Sequence, residues 1–450
     1  MRVFNYAADR DQFLQDKDKL IMPAVNTWRD GVGKNALVLE RTRHTKGLLE
    51  QRNLRRDERD PLLDNYRLNG LTRGNVMIKT LYAGICGSDM KNAFGQQCAY
   101  DFTPGRALLH EVCGVVIAIG DGVVECEVGD LVVANPLLLH DNNRDALTGE
   151  QRNDRTKPFS SIQTHGFGQE VFIHPASHIH RIDPTRVGPR AATLVEPLAC
   201  AHGALERVGG LTERLKEMRK LFPEAVYGQY NFTVMIVGGG NLGMTMAVMA
   251  KHRGANTVIV LDNNPEKVAR INALGKGFHG ICTDWMKNRG ESLDTGRRND
   301  MHQQILRLSR TTLLNSKGVD MLVNCVSQPL AAFDHIEVLS GSVQPIIVQA
   351  GGSHGAIAWD ADINRGFMTN EATYAHAYRY KQSDLKAAIE CIYARQDCIS
   401  RLVGSITPAS RSGAHQAMLK ANSDKGSLGK MLINYAMLWA DDDVFQNGKE

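Results

Sequence analysis

Apolar residues along this chain fall into two regimes. In the first half they form short blocks, Ala36 to Glu40, Val76 to Leu81, Val115 to Ile119 and Leu131 to Ala134, separated by Gly- and Asp-containing turns. Short strands punctuated in this way predict a β-rich, barrel-like domain. From Thr233 the rhythm changes. The apolar block Val234 to Val237 runs into Gly238-Gly239-Gly240-Asn241-Leu242-Gly243, a helical stretch reaches His252, and a second block, Val258 to Leu261, follows. That β-α-β alternation predicts an α/β domain built on a doubly wound parallel sheet. Gly280 to Cys282, Met321 to Asn324 and Pro345 to Val348 extend the sheet, Ser383 to Tyr393 reads as an amphipathic helix, and Gly429 to Ile433 reads as a late strand. Two stretches fit neither rhythm. His44 to Gly70 is long and charged and reads as an insertion; Asp284 to Lys317 is longer than one crossover helix needs, and its Arg297 to Asp300 segment is expected to be a surface loop. No repeat is evident, which argues against an array.

Composition narrows the class without naming a chemistry. A chain of 450 residues exceeds what one core organises, and 43% hydrophobic residues suffice to fill two. The balance of 53 basic against 49 acidic residues gives +4, too small and too dispersed to indicate a nucleic-acid or membrane partner. Arg52, Arg55, Arg56 and Arg59 alternate with Asp57, Glu58 and Asp60, as a solvated loop does. Nine scattered cysteines show no disulfide spacing, and Met1 to Leu14 lacks the apolar core of a signal peptide. No stretch reaches the ~18 uncharged apolar residues a membrane span requires. A cytoplasmic protein in a reducing compartment is the expectation.

Candidate chemistry lies in separated motifs: Gly84-Ile85-Cys86-Gly87-Ser88-Asp89, His110-Glu111, Glu196-Pro197-Leu198, and then the glycine loop at 238–243. A thiol, an imidazole and a carboxylate meeting in a folded site would hold zinc through three ligands and leave a fourth position for water or substrate. Each has an ordinary alternative: Cys86 as a buried inert thiol, Glu196 as a helix first-turn carboxylate before Pro197. The loop Gly238-x-Gly240-x-x-Gly243 follows a strand and opens a helix, with Asp262 closing the next strand nineteen residues after Gly243. Glycines there permit a tight turn and close approach of backbone to a pyrophosphate, and the acidic residue accepts from ribose hydroxyls. A carboxylate at 262 repels a 2′-phosphate, and Asn263, Asn264 and Pro265 add no arginine, so NAD is expected over NADP.

In their order these motifs, with Gly129-Asp130-Leu131-Val132, resemble the zinc-containing medium-chain alcohol and polyol dehydrogenases, and most nearly the sorbitol and threonine dehydrogenase branch. The resemblance covers Lys34 to Tyr435. It implies a GroES-like barrel catalytic domain over 34–203, a Rossmann NAD-binding domain over 204–368 and a return to the catalytic domain over 369–450, with 1–33 as an N-terminal extension outside it. It further implies one catalytic zinc on Cys86, His110 and Glu196, with Glu111 beside the metal as an exchanging ligand. Asp89 would accept the other imidazole N–H of His110, as carboxylates behind metal ligands do, and Ser88 would carry the proton away from a bound alcohol. In the bland alternatives Asp89 caps a turn, Ser88 bonds its own turn and Glu111 makes a structural salt bridge.

Two departures stand out. Leu109 occupies the place where relatives have glycine before the histidine, which puts the local backbone geometry in question. Between Cys126 and Cys200 there is no cysteine, so the four-cysteine structural zinc lobe of many relatives is not expected. His165, His174, His178 and His180 cluster locally, and the last three fall on one face of an extended segment over 171–181, a solvated sheet face. The expectation is an enzyme that oxidises a secondary alcohol of a polyol, sugar or amino alcohol with hydride transfer to NAD. Its partner would be that small-molecule alcohol, and it would assemble as a homodimer or homotetramer. A metal-free NAD(P)H reductase of an enone or quinone has no use for Cys86, His110 and Glu196 together. A catalytically silent NAD-binding sensor has no reason to keep them. Substrate pocket residues would come from loops such as Lys91 to Thr103 and the neighbourhood of Phe167, with Arg106 able to hold an acidic substituent or to serve as a surface ion pair.

Overall fold

In the computed structural model, β3 (Asn75–Gly84) is the strand on which the first half of the chain is assembled. The structure describes residues 9–15, 35–39, 49–53, 71–93, 106–138, 160, 164–221, 230–284, 295–310, 318–328, 330–339, 344–350, 361–409, 413–423 and 429–436. Nine consecutive buried positions from Val76 to Gly84 mark β3 as covered on both faces, which is why its sequence carries an apolar run rather than an alternation. It pairs antiparallel with β4 (Glu111–Ile119), β6 (Val171–Pro175) and β15 (Lys430–Asn434). The full sheet runs β14 (Val403–Pro408), β15, β3, β4, β5 (Leu131–Ala134), β7 (Ile179–Ile182), with β6 on β3. Register shifts at Met77/Ile78 and Thr80/Tyr82 bend β3 against β4. β1 (Asn35–Leu39) stays out of this sheet and pairs with β2 (Leu49–Asn53), so the stretch read as an insertion contributes a strand of its own.

The second half forms a parallel sheet ordered β10 (Phe278–Cys282), β9 (Thr257–Asp262), β8 (Thr233–Val237), β11 (Met321–Asn324), β12 (Ile346–Gln349), β13 (Thr373–His376). In chain order that is 3-2-1-4-5-6, the doubly wound order, and the strand order reverses beside β8. Every residue of β8, β9, β11 and β12 is buried.

The chain divides into two compact units, Met1–Glu196 with Val403–Glu450, and Pro197–Leu402. The transitions fall at Glu196 and Val403, where the sequence alone suggests 203 and 369. β13 extends the parallel sheet through 376, and helix α7 (Gln382–Ala394), lying beyond it, also belongs to the second unit. The other helices that matter below are α1 (Gly87–Ala93), α2 (Pro189–Ala192), α3 (Val195–Leu205), α4 (Asn241–His252), α5 (Pro265–Asn272) and α6 (Thr295–Leu308). Helix α6 corrects the surface-loop expectation for Arg297 to Asp300, which occupy its first turns. Its buried residues, Met301, His302 and Ile305, begin only after that charged run, so the amphipathic signal is confined to the helix's second half. The histidine stretch is corrected as well. A 3-10 turn at Ala176–His178 separates β6 from β7, and His174 and His178 are buried at 3% and 5% exposure, not aligned on a solvated face. His174 Nε2 donates to the Asn135 carbonyl at 2.9 Å, and burial pushes its pKa down to about 3, keeping the ring neutral.

No helix among the described residues is long and apolar enough to cross a membrane. Ile305 is fully buried in the core of the second unit. Ile305→Ala is expected to lower the unfolding free energy by about 2–5 kcal/mol, while Gln304→Ala on the exposed side of the same helix changes it by under ~0.5 kcal/mol; denaturant titration reads both.

Candidate functional site

Cys86 follows directly from the end of β3. The Ile85 N–H donates to Met431 O at 3.0 Å, prolonging the pairing with β15, and the chain then turns into α1. Asp89, in the first turn of α1, accepts the Cys86 N–H on Oδ2 at 3.0 Å and places Oδ1 3.4 Å from His110 Nδ1. The turn-capping role and the histidine-facing role therefore belong to one carboxylate, which is fully buried. Ser88 sits two residues beyond Cys86 on α1, half-buried.

His110 arrives by a strained route. Leu109 has φ +68°, the left-handed region that L-residues with branched side chains avoid. Three backbone bonds of 2.8 Å hold the segment in place: Gly166 N–H to Ala107 O, Phe167 N–H to Leu109 O and Gly168 N–H to Leu108 O. A Cβ on Gly166 would collide with the Leu109 and Leu108 carbonyls, so the close approach requires glycine there. Phe167 itself is 1% exposed and packs on Phe172, inside the sheet core. The segment Lys91 to Thr103 lies mostly outside the described residues, as does 139–159, where a cysteine-rich lobe would fall.

Cys86, His110 and Glu111 offer a sulfur, a ring nitrogen and a carboxylate oxygen that all lie within 4.8 Å of one another. This is the only such group of three or more among the described residues. Burial on its own favours a neutral His110 ring, but the neighbouring Asp89 and Cys86 raise its pKa well above the ordinary value. Asp89 Oδ1 and Glu111 Oε2 are buried without an aligned hydrogen bond. Mixed thiolate, imidazole and carboxylate donors around buried oxygen atoms with spare acceptor capacity suit zinc.

Lys430 escaped sequence reasoning. Its Nζ lies 2.6 Å from both carboxylate oxygens of Glu111 and donates to Ile85 O at 3.1 Å, with the lysine side chain 3% exposed. Burial alone would neutralise the amine, yet Glu111, Cys86 and Glu196 together raise its pKa. The only signal was a charged residue opening an otherwise apolar strand, Lys430-Met431-Leu432-Ile433. Glu196 stands in the first turn of α3, 7% exposed and near enough for its charge to act on Lys430, but it is not part of the close trio. Gly84 leaves room for this arrangement, since a Cβ there would strike Glu111 Oε2.

The glycine loop lies in the second unit. Gly238 has φ +97°, and a Cβ on Gly243 would collide with the Gly238 carbonyl, so both positions demand glycine. Gly240 caps α4, which starts with Asn241, Leu242 and Gly243 and presents their N–H groups at its amino end. Asp262 ends β9; its Oδ2 accepts the Gly239 N–H at 2.7 Å and its Oδ1 accepts the Asn264 N–H at 2.8 Å. Each oxygen keeps a lone pair for another donor. Buried Lys267, on α5, places Nζ 3.9 Å from Asp262 Oδ2, a cation that sequence reasoning did not pair with it.

A mostly antiparallel sheet bearing a thiol-imidazole-carboxylate cluster, followed by a doubly wound sheet with a glycine loop, is the arrangement to set beside known alcohol-oxidising dehydrogenases. Residues 72–184 match the alcohol dehydrogenase GroES-like domain. The chain is 27% identical over 350 residues to 2-dehydro-3-deoxy-L-galactonate 5-dehydrogenase of Pseudoalteromonas atlantica, covering 78% of this chain and 89% of that one. It is 24% identical over 268 residues to L-threonine 3-dehydrogenase of Coxiella burnetii, covering 58% and 72%. The crystal structure of an alcohol dehydrogenase from Thermotoga maritima shares the fold with a TM-score of 0.68 at 16% identity, over 90% of this chain and all of that one. The matched domain and these relatives make the chain similar to the medium-chain alcohol dehydrogenases, with polyol- and threonine-type dehydrogenases among the relatives it matches.

Lys430→Met strands the Glu111 carboxylate in the interior and is expected to cost about 3–5 kcal/mol of unfolding free energy. Pairing it with Glu111→Gln is expected to recover most of that loss in a double-mutant cycle, because no unpaired charge then remains.

Proposed function

We propose that this protein oxidises a secondary alcohol of a polyol, sugar or amino alcohol and passes the hydride to NAD, at one zinc held by Cys86, His110 and Glu196. The observation that carries this reading is the convergence of Cys86, His110 and Glu111 donor atoms within 4.8 Å in a buried setting. Glu196, whose charge reaches the same cluster through Lys430, is assigned as the remaining ligand. Relatives named for a galactonate and for threonine support these alcohol classes as the ones to test.

A zinc held here would supply acidification of an alcohol hydroxyl, and a bound nicotinamide would supply the hydride acceptor. The chain's own residues do the rest. Ser88 accepts the hydroxyl proton while passing its own onward, the first step of the proton's route out. Asp89 fixes the ring of His110 through Nδ1, as carboxylates behind metal-holding histidines do. Lys430 restrains Glu111, so that its carboxylate stays beside the metal ligands with its charge balanced. In the second unit, the amino end of α4 favours a pyrophosphate. Asp262 accepts from the ribose hydroxyls with the lone pairs its backbone contacts leave open, and its charge disfavours a 2′-phosphate.

Metal analysis is expected to return one zinc per chain. Cys86→Ala and His110→Ala should lose both metal and alcohol-dependent NAD reduction while leaving NAD affinity nearly unchanged, as read by calorimetry. Two zincs per chain, or full activity after complete removal of zinc, would overturn the assignment. Cofactor choice is tested separately. Asp262→Ala should reduce the NAD-over-NADP preference in kcat/KM by about 10- to 100-fold, the worth of hydrogen bonds to a charged group. Asp262→Asn, which can still accept a backbone N–H, separates the charge effect from anchoring of the loop. Greater efficiency with NADP in the unaltered protein would contradict the role given to Asp262.

A further inference from the structure

The helical residues 9–15 precede everything that resembles the family, yet they hold two buried side chains, Asp9 at 6% and Phe13 at 4% exposure. Asp9 Oδ2 accepts the backbone N–H of Arg190 at 3.0 Å, and Asp9 Oδ1 lies 3.1 Å from Arg190 Nε. Arg190 is in the first turn of α2, whose own capping residue is Gly188 and has no side chain to offer. Asp9 thus caps a helix 181 residues away in sequence. Gly188 makes room for it, because a Cβ there would collide with the Asp9 carboxylate. Arg190 Nε also donates to Tyr82 Oη at 3.1 Å, with the guanidinium 5.5 Å from the Tyr82 ring centre. Arg10 adds a bond to the Thr185 carbonyl at 3.4 Å. Tyr82 lies on β3 four residues before Cys86, and α2 leads into the helix start that carries Glu196.

We propose that Asp9 is a positioning residue for the metal ligands: the N-terminal segment clasps β3 and α2 through Arg190 and Tyr82, and so holds the strand bearing Cys86 and the helix start bearing Glu196 in the geometry that retains metal. This rests on the zinc assignment above. Burial pushes the Asp9 carboxyl up to about 6 even with Arg190 beside it, so the ionised group is costly where it sits. A paired charge kept at such a cost contributes specific geometry more than cohesion. The same burial raises the Tyr82 phenol and the Cys113 thiol, both of which face Asp9. The clasp is therefore an ionic contact whose carboxylate is buried while its guanidinium stays partly exposed.

The test uses the full-length zinc-loaded protein and a chromogenic chelator. Asp9→Ala is expected to speed zinc release about tenfold, the usual scale for residues that orient metal ligands, with NAD affinity unchanged. Asp9→Asn, which keeps a capping oxygen, should stay within about threefold of the wild type. Release from Asp9→Ala at the wild-type rate overturns the proposal. If Asp9→Ala fails to fold, Tyr82→Phe removes only the hydroxyl that Arg190 reaches. Faster release and faster amide exchange over 190–196 then support the clasp, and wild-type values of both overturn it. Amide exchange on the metal-free chain separates this proposal from the one beneath it. A wild-type chain that holds no zinc overturns the metal assignment, whereas exchange over 190–196 that ignores Asp9→Ala overturns the clasp.

Discussion

A buried lysine under a buried carboxylate is the constraint around which the first unit is arranged. Lys430 Nζ binds Glu111 and the Ile85 carbonyl together, so one ammonium ties the late strand β15 to the start of β4 and to the residue before Cys86. Neither charge is tolerable there alone, since a single ion in such an interior costs several kcal/mol. Geometry around the pair is correspondingly tight. Gly84 has no side chain because Glu111 Oε2 fills that space, and β15 must return from beyond residue 400 to supply the lysine. The chain leaves the first unit, builds a complete parallel sheet and comes back, an excursion whose closure entropy grows by only ~0.6 kcal/mol per doubling of its length. The ion pair gives the return a fixed destination.

The architecture was largely legible because both halves obey simple periodicities. Apolar blocks at 76–81, 115–119, 131–134, 234–237 and 258–261 all fall inside observed strands, and a strand hidden on both faces needs no alternation to be recognised. Elements whose apolar signal is diluted were lost. Arg297 to Asp300 read as loop because the buried side of α6 starts only at Met301. β14 shows no fully buried residue, so nothing in its sequence separates it from a loop.

The donor cluster was legible in its residue types and hidden in its supports. Cys86, His110 and Glu111 do converge, and a thiol, an imidazole and a carboxylate announce themselves by type. Lys430 is 319 residues from Glu111, and Asp9 is similarly remote from Arg190. No local pattern marks a lysine as a buried counter-ion or an aspartate as another helix's cap. His174 and His178 failed for the opposite reason. Alternation assumed one continuous strand, while the 3-10 turn at 176–178 rotates the second histidine inward, and buried rings can be satisfied by a backbone carbonyl as well as by water.

Leu109 shows how such a site tolerates a residue that local rules disfavour. A left-handed backbone costs an L-residue about 1–2 kcal/mol, and glycine would remove that cost at once. But the Leu109 side chain is fully buried in the cluster that also holds Ala83, Ile85, Leu108 and Met418, and burying a leucine contributes about 1.5–3 kcal/mol. The two terms are comparable, with burial at least covering the strain, so the position can hold leucine without net loss as long as the backbone stays pinned. The pinning comes from Gly166 to Gly168, whose three hydrogen bonds leave the 107–109 segment no other path. Glycine is required across the contact, at Gly166, where a Cβ would meet the Leu109 carbonyl. What the placement of His110 needs is the left-handed turn itself, and the fold enforces it from the neighbouring 166–168 segment instead of from the turn residue.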